Sequence, residues 1–144
     1  MDMIIWGMVG NSHDASIAVF NCNEFQEIYT SRNKAHSYGI IHEAYYVNNK
    51  WPDLVVWYEQ PFKKAIRQLY AGQPKPFSRN KVKKYLKKYG IACPIKYVGH
   101  HEAHAAHYYN SSFSDATIIV IDSIGEWDTT TIWQAKADKL IKKY

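Results

Sequence analysis

The feature that most constrains this chain is a pattern that occurs twice. Residues 3–9 are apolar, a run of turn formers follows at Gly10-Asn11-Ser12-His13-Asp14, and Ala15 to Phe20 is apolar again. Near the other end, Ile118-Ile119-Val120-Ile121-Asp122 leads into a glycine-containing turn and then the β-forming Thr129–Gln134. β-Branched and aromatic runs separated by turn residues read as strand–turn–strand, and an acidic residue sits at each turn. Elements that must bury the apolar faces of such hairpins lie between the two copies, so a two-lobed organisation is expected. The first lobe is read as residues 1–115, and a second begins in 116–144. A second lobe of about 20–30 residues could not bury a core of its own, so the chain is expected to be a fragment of a longer protein.

Between the hairpins, a third strand is expected over Phe25–Thr30 and a helix over the Ile40–Val47 region. Leu54–Tyr58 reads as a short buried strand, and Phe62–Tyr70 as a helix. Over Arg79–Tyr89, Val82, Tyr85, Leu86 and Tyr89 recur at helical spacing with lysines on the other face, and Gly90 follows as a stop signal. Ile95–Val98 is a strand that runs straight into a helix over residues 101–109. The predicted order is β-β-β-α-β-α-α-β-α followed by a β-hairpin, which fits an α/β class with a mixed sheet. Composition permits this without cross-links: 47% of the residues are hydrophobic and there are only two cysteines. A reducing, cytoplasmic setting follows as the expectation. The N-terminus has no signal-peptide pattern, and no run approaches the roughly 18 apolar residues of a membrane span. The net charge of +5 draws largely on lysines of the 81–88 helix and the C-terminus, and a solvated helix face accounts for it.

The densest chemical signal is Gly99-His100-His101-Glu102-Ala103-His104-Ala105-Ala106-His107, with four of the seven histidines in eight residues. His100 and His104 are four apart and share a helix face, so two imidazoles can reach one divalent cation. The zincin pattern is absent, because Ala105 stands where a second ligand would follow His101-Glu102. His101 and His107 are read as packing or hydrogen-bonding histidines. In the first turn, Gly10, Asn11 and Ser12 let a backbone approach an anion, while His13 suits proton transfer and Asp14 could orient it. In the last hairpin, Asp122 at a strand end beside Gly125 suits Mg²⁺ or phosphate.

These pieces occur in a fixed order: Gly-x-x-His-Asp-x-Ser-x-Ala (Gly10–Ala18), His-His-x-x-His-Ala (His100–Ala105), Ser-x-Phe-x-x-Ala (Ser111–Ala116) and Val-x-Asp-x-x-Gly-Glu (Val120–Glu126). The set resembles the O-carbamoyltransferase family of nodulation and antibiotic-tailoring enzymes. That resemblance implies an actin/Hsp70-like ATPase (RNase H-like, Kae1-like) fold. It implies ATP and a divalent metal, iron first, as cofactors. It also implies a carbamoyl group passed from carbamoyl phosphate, through a carbamoyl-adenylate, to an acceptor hydroxyl. His100 and His104 would be metal ligands, His13 would serve the transfer, and Asp122 and Gly125 would face the phosphates. A third ligand would be a carboxylate far along the second lobe. As a fragment the chain is expected to be inactive.

The alternative is a non-catalytic nucleotide- or metal-binding module of the same fold. A nucleic-acid-processing protein of RNase H type is set aside, since Asp14 and Asp122 alone fall short of its carboxylate cluster and the histidines stay unexplained. A homodimer through exposed hairpin edges is expected as the assembly.

Overall fold

The computed structural model describes residues 3–10, 14–21, 24–32, 37–73 and 79–144. These residues form a mixed α/β protein with two sheets. The chain divides into two compact units, one made of residues 1–58 and 78–97 and the other of 59–77 and 98–144.

The first unit is built on β1 (Ile4–Val9), β2 (Ala15–Asn21) and β3 (Glu24–Ser31), followed by helix α1 (Ser37–Asn48) and strand β4 (Leu54–Trp57). Helix α2 (Pro61–Tyr70) lies in the second unit, and helix α3 (Arg79–Lys88) and strand β5 (Ile95–Tyr97) return to the first. The strands form one sheet in the order β3-β2-β1-β4-β5. β1, β2 and β3 pair antiparallel, as short connections allow, whereas β4 and β5 follow intervening helices and join parallel. Side-chain alternation is strict in β1, where Ile4, Trp6 and Met8 are buried, and in β2, where Ala15, Ile17 and Val19 are buried. The core is completed by Ile40, Ile41 and Ala44 of α1, Val55 and Trp57 of β4, and Val82 and Leu86 of α3. Val47, expected on the apolar face of α1, is instead exposed at the end of the helix.

The stop after α3 has a physical cause. Gly90 adopts φ +85°, its N–H bonds the Lys87 carbonyl at 3.1 Å, and the Ile91 N–H bonds the Leu86 carbonyl at 3.0 Å. That is a Schellman ending, which needs a residue without a Cβ penalty at positive φ.

The second unit contains helix α4 (His100–Ala105), a 3-10 turn over Ala106–Asn110, and strands β6 (Asp115–Gly125), β7 (Asp128–Lys136) and β8 (Lys139–Lys142). The strands make an antiparallel sheet in that order. Only a hairpin is expected here from the sequence; β8 extends it because Ala137, at φ +51°, turns the chain back on itself. One face of the sheet carries Val120 and Trp133, packed with Ala105, Ile118 and Leu140 into a small core. The other leaves Ile119 and Ile121 exposed. Among the described residues no helix is long and apolar enough to cross a membrane.

Candidate metal centre

The site grows from the junction of α4 with the β6–β7 hairpin. Gly99 is extended (φ −68°, ψ 148°) and precedes the helix. Its N–H is held by the Glu102 carboxylate at 3.1 Å, a reach-back that fixes the first turn. His100 therefore stands at the first helical position and His104 one turn on. Their rings meet edge-to-face with centroids 4.8 Å apart, and the two Nε2 atoms lie 3.2 Å apart. Strand β6 brings Asp122 to the same point, with His100 Nε2 2.7 Å from Asp122 Oδ2. One ligand atom from each of His100, His104 and Asp122 lies within 4.8 Å of the others.

The carboxylate is oriented locally. The Ser123 N–H donates to Asp122 Oδ1 at 2.6 Å, which leaves Oδ2 for the imidazoles. Partial burial pushes the Asp122 carboxyl up, but the hydrogen bond from His100, the Ser123 N–H and the neighbouring imidazoles outweigh it, so the acid is held below its ordinary range. Loss of solvent around the ring and then the charge of His100 hold His104 below the usual imidazole range. A carboxylate beside a neutral imidazole is the protonation state a divalent cation needs.

The donor set fits such a cation. His100 Nε2 has both the Asp122 oxygen and the His104 nitrogen as neighbours but can direct at most one proton toward them, so lone pairs converge there. Two imidazoles and one carboxylate form the facial set of non-haem Fe(II) sites, and zinc accepts the same donors. A groove of about 350 Å³ opens beside the cluster, lined by His104 and the β6 residues from Ile118 to Asp122.

Gly125 closes the site from below. A Cβ there would sit 2.6 Å from His100 Cδ2 and 2.4 Å from His101 Cδ2, so only glycine lets the hairpin lie against the two rings. The β6–β7 register shifts between Ile121 and Gly125, and this irregularity carries Asp122 out of regular pairing. The hairpin is also held by α2, whose preceding Gln60 N–H donates to the Glu126 carboxylate.

The residues expected from the sequence thus fall into separate sets. The second unit brings His100, His104, Asp122 and Gly125 together. Asp122 was expected to face phosphates; its place within ligand reach of both histidines depends on strand register, which no local pattern signals. His107 is exposed, whereas His101 is buried and bonded to Thr131. In the first unit, Gly10 lies against the rings of Tyr85 and Trp57, with its would-be Cβ 3.0 Å from Tyr85 Oη. Asp14 is exposed. Asn11, Ser12 and His13 lie outside the described residues.

No family model matches the chain. A curated relative, the uncharacterised protein sll1178 of Synechocystis, is 26% identical over 119 residues, and the chain spans only 19% of that protein's length. Among solved structures, an uncharacterised Pseudomonas aeruginosa protein with similarity to peptidase YeaZ matches at TM-score 0.57 and 6% identity, covering 99% of this chain and 64% of that one. YeaZ from the same organism matches at TM-score 0.56 and 7% identity with the same coverage. These likenesses show a YeaZ-like α/β fold with a mixed sheet. They also correct the carbamoyltransferase assignment, since the structural neighbours are YeaZ-like and not carbamoyltransferases. The transferase class falls with it. So does the partner set of carbamoyl phosphate, an acceptor hydroxyl and a second copy of the chain, with nucleic acid set aside. The physical reason is that the motifs encode a histidine pair and a tight hairpin. Such parts do not determine which group, if any, is transferred.

Proposed function

We propose that this chain is a metal- and nucleotide-binding module of the actin-like fold, with His100, His104 and Asp122 holding one divalent cation. The observation that carries the reading is the convergence of two imidazole nitrogens and one oriented carboxylate beside a groove. Iron(II) suits two histidines and a carboxylate best, and zinc is the nearest competitor. Mg²⁺, a harder ion that favours oxygen ligands, would use the Asp122 side alone. A bound cation would supply positive charge to neutralise the phosphates of a ligand such as ATP. Gly125 and Asp122 are proposed to present the hairpin backbone to those phosphates. Gly10, Asn11 and Ser12 are proposed as the matching anion-binding turn of the first hairpin, with His13 and Asp14 as its proton-handling pair. The two hairpins are further proposed to mark two related lobes, residues 1–115 and 116–144, of an actin/Hsp70-type arrangement.

Calorimetric titration tests this. Anaerobic Fe²⁺, and separately Zn²⁺, should bind one ion per chain, and ATP should bind the metal-loaded protein more tightly than the metal-free protein. Absence of stoichiometric metal binding would leave His100 and Asp122 as a structural hydrogen-bonded pair and end the proposal.

A further inference from the structure

The second unit contains a buried polar chain that the metal cluster does not use. Trp133 Nε1–H donates to Thr131 Oγ1 at 2.8 Å, and Thr131 Oγ1 lies 2.8 Å from His101 Nδ1. Thr131 is fully buried and His101 is 4% exposed. An indole nitrogen only donates, so it occupies one lone pair of the hydroxyl. The hydroxyl keeps its own proton and a second lone pair, so it can donate to His101 Nδ1 or accept from it, and either bond pins that edge of the ring. The other ring nitrogen, Nε2, is buried and has no partner. It faces Gly125, whose would-be Cβ stands 2.7 Å away.

A buried polar nitrogen without a partner costs about 1–3 kcal/mol and calls for a reason. A leucine could fill a core position without that cost. What the imidazole offers is a flat ring of fixed orientation, pinned at one nitrogen by Thr131 on β7 and lying flush against Gly125 on β6. His101 directly follows His100 on α4, and Gly125 is three residues beyond Asp122. The ring therefore sets the spacing between the helix that carries both imidazoles and the strand that carries the carboxylate.

We infer that His101, oriented by the Thr131 hydroxyl and Trp133, is a positioning residue that holds α4 against the Gly125 hairpin so that His100, His104 and Asp122 converge. This rests on the metal-binding reading above, and it acts through the ligands without touching the ion. Outer partners of metal ligands commonly govern affinity by about 10–100-fold.

Co²⁺ serves as the probe, because its visible absorption reports ligand geometry as well as occupancy. Wild-type protein should bind one Co²⁺. Thr131→Val, which keeps the shape and removes the hydroxyl, should weaken binding about tenfold and alter the band shape, while cooperative thermal unfolding persists. His101→Leu should do the same. Thr131→Ser restores the hydroxyl, and His101→Asn places a side-chain amide atom where Nδ1 stands, so both should recover the wild-type spectrum. A purely packing role would make Val and Leu as good as Ser and Asn. Thr131→Val with wild-type affinity and spectrum would overturn the positioning role while the metal site stands. Failure of the wild type to bind Co²⁺ would overturn both. If Thr131→Val does not fold, nitrogen–proton correlation NMR of the wild-type imidazoles decides. A single fixed tautomer with a His101 Nδ1–Thr131 hydrogen bond supports the inference, and a His101 ring that exchanges freely between tautomers contradicts it.

Discussion

Gly10 in the first unit and Gly125 in the second stand at similar points, each at the end of an apolar strand and close to an acidic residue in sequence. Gly10 meets the aromatic side chains of Tyr85 and Trp57, at 3.0–3.2 Å from its would-be Cβ. Gly125 meets the edges of His100 and His101, which are the rigid first turn of α4. Similar sequence signatures therefore serve different ends. One glycine lets a helix pack on a sheet, and the other sets the distance between a carboxylate and two imidazoles. A glycine beside a strand end becomes informative only when the group it yields to is known.

Removing a ligand should have the largest effect. Asp122→Asn or His104→Ala should reduce Zn²⁺ or Fe²⁺ affinity by more than about a hundredfold, since even outer-partner losses approach that size. Gly10→Ala should leave metal affinity as it is. Calorimetric titration of the three variants checks this, and equal affinity across all of them would erase the contrast between the hairpins.

The glycines themselves come next. Gly125→Ala forces a Cβ to 2.4 Å from His101 Cδ2 and should cost about 2–3 kcal/mol, in the range of overpacked cores. The Gly10→Ala contacts of 3.0–3.2 Å fall on ring edges, and the cost should be about 1 kcal/mol. Urea denaturation measures both, and a reversed order would show that the aromatic wall is the stiffer one.

Acidification has a smaller, graded effect. The folded state holds His104 below the ordinary imidazole value of 6.5, so the unfolded chain takes up that proton first as pH falls. The stability His104 contributes is present above pH 6.5 and is lost on acidification through the folded value. His104→Gln should flatten the stability profile of the metal-free protein in that window. Metal affinity should fall in the same direction, because cation and proton compete for the imidazoles. Thermal melts between pH 5 and 8 report the first effect and titrations the second. A profile for His104→Gln that matches the wild type would refute the shift.

The smallest change is expected at Lys142 and Asp128, an exposed pair 2.7 Å apart on the β7–β8 ribbon. Lys142→Ala should alter stability by less than about 0.5 kcal/mol. A larger loss in chemical denaturation would mean that β8 braces the hairpin more than its exposure suggests.

How far the sequence carries depends on the range of the interaction. The burial alternation of β1 and β2, the lysine-faced helix α3 and its Gly90 stop are set by neighbours within a few residues, so local patterns reveal them. The His100–His104 pair is legible for the same reason, since one helical turn suffices. Asp122 as a third converging group is not legible, because it depends on the irregular β6 register placing residue 122 beside residue 100. Thr131 is hidden in a run of three threonines whose inward member is chosen only by pairing with Val120. β8 lacked a turn signal of the usual kind, as Ala137 is a non-glycine residue at positive φ. The reaction assigned from the motifs failed for a different reason, since short motifs constrain binding groups and not the chemistry that follows.

The central claim is that His100, His104 and Asp122 form one cation site. Anomalous diffraction at the metal edge from crystals grown with stoichiometric Zn²⁺ or Fe²⁺ tests it most directly. A single peak at bonding distance from both Nε2 atoms and an Asp122 oxygen, about 2.0–2.2 Å for zinc, is the predicted result. Peaks only elsewhere, or an unbroken His100–Asp122 hydrogen bond in the presence of bound metal, would contradict it.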